Sequence, residues 1–484
     1  MQTIGIRSFS RSHHQLSIRF FADDLIFNTS YWYEGVDFHE LEKRFGETAL
    51  QEIYFHIAAF ELNKLGSLKP EGVELGPFQN FYTPAFEQLW REIFIKVWAQ
   101  WRYENGLPQY KGPHFLQKLG LTPSPSPIQN ELGDTEILAF FGGGKDSLIS
   151  AKLLEEAELP FATLGYSSSV YGTAAKQHEL IARSVRHTTS MQHHRQWIFD
   201  DFPDAPVLQL HPDLHIQSLT AAETPASIFA ALPIMLQHGY RYMVLAHEKS
   251  ADKGNLVWDK TGEEVNHQWG KSYEAELLLN QYVQQNLVSN CQYFSLLKPI
   301  HDVLIFNMLR NYPEAALDTH SCNVQKPWCF RCPKCAYVLA NYHAYLPADI
   351  LHKITKKGTV NIFDLEENAL AFRQMLGQEA HTPFECLGQV EEARLAFALL
   401  QKKGITGKAV EAFAATKPDD DWAKIAQAFT HIDTANALIP QKIARRVVPV
   451  LERERDKARE YIKGFIKQRS QPPTTGTDFV TKTA

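Results

Sequence analysis

Two short apolar runs rich in Ile and Phe flank Ala22-Asp23-Asp24 within Leu16 to Asn28, and predict a small hairpin. From Phe38 to Gly66 the pattern turns helical: Ile53, Ile57 and Phe60 share a face, and Gly66 is a natural stop. Aromatics follow at Phe78, Phe81, Tyr82, Phe86, Trp90, Phe94, Trp98 and Trp101. The spacing of four from Phe86 to Trp98 marks one helical face, which reads as core packing rather than a ligand cage. Alternating prolines in Leu121 to Asn130 exclude a regular element and predict a linker.

Beyond it, an apolar run from Glu136 to Phe141 predicts a strand, and Asp146 to Glu158 a helix with Leu148, Ala151, Leu153 and Leu154 facing inward. Phe161 to Tyr166 predicts a second strand, Ala226 to Leu236 an apolar helix, and Tyr242 to Ala246 a third strand. Alternating strands and helices imply a doubly wound parallel sheet, an α/β fold. Further helices are expected at Val390 to Lys402 and at Lys442 to Arg469, where mixed charges at helical spacing indicate a solvated face. Gln471 to Ala484 reads as a disordered tail. The expected organisation is an N-terminal hairpin and helical domain (1–120), a Pro-rich linker (121–130), a nucleotide-binding domain (131–310), a cysteine module (311–350), a helical region (351–470) and the tail (471–484).

Charge adds an exclusion. Lys and Arg number 49 against 55 Asp and Glu, a net charge of −6, so no whole-protein basic field for nucleic acid exists. Met1 to Phe20 does not resemble a secretory signal. The longest apolar stretch, Ala226 to Leu236, is interrupted by Pro233 and falls short of the ~18 residues that span a bilayer. A cytoplasmic protein is expected.

Two motifs carry chemistry. Gly142-Gly143-Gly144-Lys145-Asp146-Ser147 lies between a predicted strand and a predicted helix. Glycines let backbone N–H groups approach an anion, and the helix dipole points at the same place. Lys145 adds a cation, Ser147 a hydroxyl, and Asp146 a ligand for Mg²⁺ beside phosphate. A Walker loop is excluded because Asp146 follows Lys145, and a Rossmann loop because no Gly stands at 147. The second motif is Cys322-x6-Cys329-x2-Cys332-x2-Cys335. Four clustered thiolates suit a closed, structural Zn²⁺ site.

The loop resembles the Ser-Gly-Gly-x-Asp-Ser signature of the PP-loop (HUP-like) ATP pyrophosphatases, with Gly142 in place of the first Ser. With the cysteines behind it, the arrangement resembles the 7-cyano-7-deazaguanine synthases. A longer match takes in His247-Glu248-Lys249-Ser250, Glu264-Val265-Asn266-His267-Gln268-Trp269, Tyr293 to Pro299 and Pro383-Phe384-Glu385-Cys386. With these blocks the chain resembles the UDP-N-acetylmuramoyl-L-alanyl-L-glutamate epimerases, the MurL family. His247 and Lys249 stand where that family's Asn and Arg are expected.

The resemblance implies an isomerase of peptidoglycan synthesis that uses ATP, Mg²⁺ and a structural Zn²⁺. Its substrate would be a UDP-linked muramoyl dipeptide, with no membrane or nucleic-acid partner. It implies that Gly142, Gly143, Gly144, Lys145, Asp146 and Ser147 bind ATP, and that Cys322, Cys329, Cys332 and Cys335 hold zinc. Lys249, Lys253, Asn266, Trp269 and Lys271 become candidates for binding substrate. Glu248, His267 and Cys386 join Lys145 and Asp146 as catalytic candidates, since a base must reach Cα within ~3 Å. The alternatives are another adenylating PP-loop enzyme, acting on a nucleobase, tRNA or natural-product carboxylate, and a nucleotide sensor without catalysis.

Overall fold

The computed structural model describes residues 1–118, 126–210, 217–355 and 360–467. The predicted tail, and residues 121–125 of the predicted linker, lie outside them. The end of that linker is pinned: the Ile128 amide donates to the Leu287 carbonyl at 2.8 Å.

The chain opens with three antiparallel strands, β1 (Thr3–Arg11), β2 (Gln15–Ala22) and β3 (Leu25–Tyr33). The β2–β3 pair is the predicted hairpin, turning at Asp23-Asp24. Helices α1 (Phe38–Phe45) and α2 (Glu47–Glu61), strand β4 (Gly72–Glu74), helices α3 (Pro84–Val97) and α4 (Ala99–Glu104), and β5 (His114–Phe115) follow. The aromatic face of α3 is core as expected, and its polar edges are satisfied. The Trp90 indole donates to the Ala59 carbonyl at 2.8 Å, and the Trp98 indole to the Asn63 side-chain oxygen at 2.7 Å.

The central part alternates as predicted: β6 (Ile137–Phe140), α5 (Lys145–Glu156), β7 (Phe161–Ser168), α6 (Ala174–Val185), β8 (His193–Asp200), α7 (Glu223–His238) and β9 (Tyr242–Leu245). A two-stranded ribbon, β10 (Leu256–Trp258) with β11 (Glu263–Val265), precedes α8 (Tyr273–Asn286) and β12 (Gln292–Ser295). The rest is helical: α9 (Asp302–Leu309), α10 (Pro313–Leu317), α11 (Pro333–Tyr345), α12 (Ala348–Ile354), α13 (Glu366–Met375), α14 (Val390–Lys402), α15 (Lys408–Ala415), α16 (Trp422–Phe429) and α17 (Gln441–Lys467).

One ten-stranded sheet runs β12-β9-β6-β7-β8-β3-β2-β1-β4-β5. The five strands from β12 to β8 are parallel. β3 then pairs antiparallel with β8, from Thr29 opposite Asp200 to Tyr33 opposite Gln196. The sheet is therefore mixed rather than purely parallel, and the N-terminal hairpin extends it. The parallel part is doubly wound. From β6 the chain proceeds outward through β7 and β8, then returns to place β9 on the other side of β6. Strand order reverses between β6 and β9, and the crevice outside the carboxyl ends of these two strands is where open α/β sheets bind ligands.

Each sheet face has its own core. Leu138 and Phe140 of β6, with Met243 and Leu245 of β9, join the core built with α2, α3, α7 and α8. Ile137 and Ala139, with Tyr242 and Val244, face the other core, built with α5, α9, α11, α14 and α17. This alternation, buried on both sides, is why these strands read as continuous apolar runs. Among the described residues, no helix is long and apolar enough to cross a membrane.

Candidate functional site

The glycine turn joins β6 to α5 at the reversal point, as the sequence predicts. Gly144 is the N-cap of α5. Gly143 has φ +78, and a Cβ there would lie 2.6 Å from His320 Nε2. Only glycine fits this left-handed position against the imidazole. The His320 amide donates to the Gly143 carbonyl at 3.0 Å, tying the cysteine module to the turn.

Lys145 and Ser147 point inward. Lys145 is 1% exposed; its ammonium pairs with Asp146 Oδ1 at 2.6 Å and, closer still, with Asp302. Asp302 in turn accepts from the Tyr337 hydroxyl at 3.0 Å. Burial works against the Lys145 charge, but the two carboxylates outweigh it and hold its pKa above the ordinary lysine range. The Ser147 hydroxyl donates to the Gly144 carbonyl at 3.0 Å.

Two adjoining cavities open over this turn. One, of about 290 Å³, is lined by the turn itself together with His247, Glu248 and Asp302. The other, of about 430 Å³, is lined by Gln100, Tyr171, Gln177, Thr220 and His267. Both share Gly142, Tyr166, Glu223, Lys271, His320, Lys326 and Cys386. The structure thus brings Lys145, Asp146, Ser147, Glu248, His267, Lys271 and Cys386 to one place.

Lys271 and Cys386 form the most polarised pair there. The ammonium lies 2.8 Å from Sγ. Burial opposes ionisation of the thiol, but Lys271, a hydrogen bond with His267 and the charge of Lys334 hold its pKa well below the usual range. The thiolate's charge in turn raises Lys271 despite burial. His267 Nδ1 sits 2.6 Å from the Gln100 side-chain oxygen. Glu248 differs. Burial and the neighbouring Asp302 and Glu392 push its carboxyl well above the usual range, which disfavours the charged form, and its Oε2 accepts from the Ser250 amide.

Four candidates lie outside both cavities. Lys249 is bound to Asp433 at 2.5 Å. Lys253 reaches Gln389 at 3.5 Å. Asn266 donates to the Ala251 carbonyl at 2.9 Å and accepts from the Gln268 amide at 2.7 Å. Trp269 is buried and donates to Glu274 at 2.6 Å. Their block nevertheless positions the site. Asn255 donates to Thr382 and to the Pro383 carbonyl, each at 2.9 Å, and Gln268 to the Leu387 carbonyl at 3.0 Å. These bonds hold the segment that carries Cys386.

Sequence reasoning missed Glu223, Asp302, His320 and Lys326. His320 is 2% exposed, and neither ring nitrogen has a hydrogen-bond partner. Burial lowers its pKa to about 3, so the ring is neutral and keeps one donor and one acceptor for a ligand. Its signal in the sequence is only that it lies two residues before the first clustered cysteine.

Those cysteines converge as predicted, with four sulfurs within 4.8 Å of one another. Cys322 to Cys332 is 3.8 Å and Cys329 to Cys335 is 3.7 Å. A tetrahedron with Zn–S bonds of ~2.3 Å has edges of about 3.8 Å. The amides of Gln325 and Cys335 donate to Cys322 and Cys332 sulfurs at 3.2 and 3.4 Å, as suits thiolates. The donor set fits zinc.

Two family models match this chain: the MurL N-terminal domain over residues 219–296, and the MurL C-terminal domain over residues 315–428. Glu223, Glu248, His267 and Lys271 fall in the first match, and His320, the four cysteines and Cys386 in the second. Among curated proteins, the UDP-N-acetyl-alpha-D-muramoyl-L-alanyl-L-glutamate epimerase of Salinispora tropica is 27% identical over 380 residues, 75% of this chain and 76% of that one. The epimerase of the same name from Micromonospora sp. is 29% identical over 355 residues, 69% of this chain and 72% of its own. That from Xanthomonas oryzae pv. oryzae is 27% identical over 341 residues, 65% and 66% of the two chains.

Proposed function

We propose that this chain is an ATP-dependent epimerase, converting UDP-MurNAc-L-Ala-L-Glu to its D-Glu epimer during peptidoglycan precursor synthesis. The observation that carries the reading is the Lys271–Cys386 pair in a cavity continuous with the glycine turn at the sheet's reversal point. The names of the relatives support the substrate.

The terminal carboxylate of the dipeptide attacks the α-phosphorus of ATP, the bond to the β-phosphate breaks, and pyrophosphate leaves. The need for this step is electrostatic. Removing the α-proton beside a carboxylate would build a dianion, whereas the acyl-adenylate yields a delocalised enolate. Each 1.36 kcal/mol taken off that barrier is about tenfold in rate. Backbone amides of Gly142 to Gly144 and the α5 N-terminus receive phosphate oxygens. Lys271, Lys326 and Lys334, which line the nucleotide cavity, offset the charge of the leaving pyrophosphate. Lys145, paired with Asp146 and Asp302, fixes both carboxylates beside the turn. Asp146 keeps a second carboxylate oxygen that would hold Mg²⁺, and Cys322, Cys329, Cys332 and Cys335 would hold a structural zinc. The Cys386 thiolate removes the α-proton. After inversion, water releases AMP and the D-Glu product.

The test is isotope exchange between ATP and labelled pyrophosphate. Exchange that requires the UDP-linked dipeptide supports the reading; exchange absent with and without the dipeptide contradicts it.

The thiolate has a pH signature. Against burial, Lys271 helps to hold the thiol well below the usual range, so with the lysine in place the inversion rate is expected to stay flat to a lower pH than without it. In Lys271→Met the largest lowering influence is lost, so the acid limb of the profile, along which the rate climbs about tenfold per pH unit, is expected to move to higher pH. Rate–pH profiles of the two proteins check this; identical acid limbs would remove Cys386 as the base.

A further inference from the structure

Inversion at Cα needs a second proton-handling group on the face opposite the base, and the cavity wall contains one that the sequence does not reveal. Glu223 stands at the first turn of α7, beside the carboxyl edge of the sheet. Its Oε2 accepts a hydrogen bond from the Tyr171 hydroxyl at 2.7 Å. Tyr166, near the carboxyl end of strand β7, lies close enough to the same carboxyl for that charge to add to burial in raising the phenol's pKa. Both tyrosines and Glu223 line the larger cavity, which Cys386 also lines. The two proton-handling groups reach the cavity from different elements: Cys386 from the segment preceding α14, Glu223 from the first turn of α7.

We propose that Glu223 is the acid that delivers a proton to Cα on the face opposite Cys386. This assignment rests on the epimerase reading. The Cys386 thiolate takes the α-proton and becomes a thiol, while the C–H electron pair forms the enolate double bond. The enolate pair then takes the proton of the Glu223 carboxyl from the other face, restoring the carbonyl and leaving Glu223 ionised. Solvent returns a proton to Glu223 and accepts one from the thiol, so the cycle closes without a co-reactant beyond ATP and water.

Three features of the wall suit this role. Burial raises the Glu223 carboxyl above the usual range against the lowering effect of the tyrosines and lysines around it, the direction an acid requires. Tyr171 and Tyr166 fix the carboxyl and stabilise the carboxylate left after transfer. Lys271 and Lys326 lie close enough to favour that ionised product electrostatically. A carboxyl and a thiol are also chemically distinguishable, so removing one leaves half of the reaction readable.

The experiment compares wild type with Glu223→Gln in D₂O, using ATP, Mg²⁺ and UDP-MurNAc-L-Ala-L-Glu. Three quantities are read: pyrophosphate exchange, deuterium at the Glu Cα of recovered L-substrate, and D-product. Glu223→Gln is expected to retain pyrophosphate exchange and to place deuterium in L-substrate through Cys386. Its inversion is expected to fall about 10²–10⁴-fold, the usual worth of a positioned acid. Inversion within threefold of wild type overturns the assignment. So does a parallel loss of all three readouts in a protein that keeps its circular dichroism spectrum. Should that variant not fold, Tyr171→Phe is read the same way, with inversion slowed relative to exchange as the expected result and equal slowing as the overturning one. A wild type lacking pyrophosphate exchange would instead defeat the epimerase reading itself.

Discussion

Cys386→Ala should abolish epimerisation while sparing activation of the substrate. Removing a positioned base typically costs ~10²–10⁴ in rate. On the proposed mechanism the sulfur abstracts the proton, and the structure holds it in place, with Lys271 2.8 Å away and Asn255 and Gln268 anchoring the segment on either side. None of these contacts belongs to the glycine turn. The expected result is pyrophosphate exchange within a few-fold of wild type, no D-product, and no deuterium in recovered L-substrate. That last readout separates Cys386→Ala from Glu223→Gln. Deuterium incorporation at the wild-type rate in Cys386→Ala would assign the base to another group, and His267 would be the first to examine, since it hydrogen-bonds the same sulfur.

The second large effect is structural. Cys335 is fully buried in the first turn of α11, 3.7 Å from Cys329. With zinc in the cluster as proposed, Cys335→Ser would replace a thiolate ligand with a hydroxyl and leave three sulfurs to hold the ion. Structural zinc contributes an apparent ~10–16 kcal/mol in small zinc-binding peptides, so much of the order in residues 320–335 should depend on it. Those residues carry His320, whose amide ties to Gly143, and Lys326, which lines both cavities. We therefore expect loss of one metal ion per chain, a lower thermal midpoint, and at least a tenfold fall in pyrophosphate exchange. Elemental analysis, a thermal melt and the exchange assay check the three parts. Full exchange in a metal-free variant would show that the cysteines do not organise the site.

How much the sequence discloses depends on how local each signal is. The glycine turn and the cysteine cluster are legible because their function lies in short spacings. Strands β6, β7 and β9 are legible because burial on both faces makes them apolar throughout. β8, HHRQWIFD, is not: it is half-exposed and polar, yet it is the strand through which β3 and the hairpin enter the sheet. The mixed ten-stranded sheet is hidden for that reason. The site divides in the same way. Cys386 and Lys271 are 115 residues apart, and neither spacing nor composition pairs them. Glu223 gains its character from two tyrosines on other elements, and His320 from lacking partners in a buried place. Asp302 is equally hidden; it pairs with the lysine that the loop motif assigns to phosphate. Lys249 and Lys253 show the limit of reading charge in a promising block as a place in the cavity: both lie outside it, Lys249 paired with Asp433 and Lys253 exposed 3.5 Å from Gln389.

Activation by ATP and inversion at Cα are, on this reading, coupled steps in one cavity. The sharpest check follows AMP and Cα deuterium together, as wild-type protein acts on UDP-MurNAc-L-Ala-L-Glu in D₂O. Coupling requires that D-product carry deuterium at Cα, that AMP form with it, and that neither appear when ATP is withheld. Deuterated D-product without ATP, or AMP formed with the Glu Cα still fully protonated, would refute it.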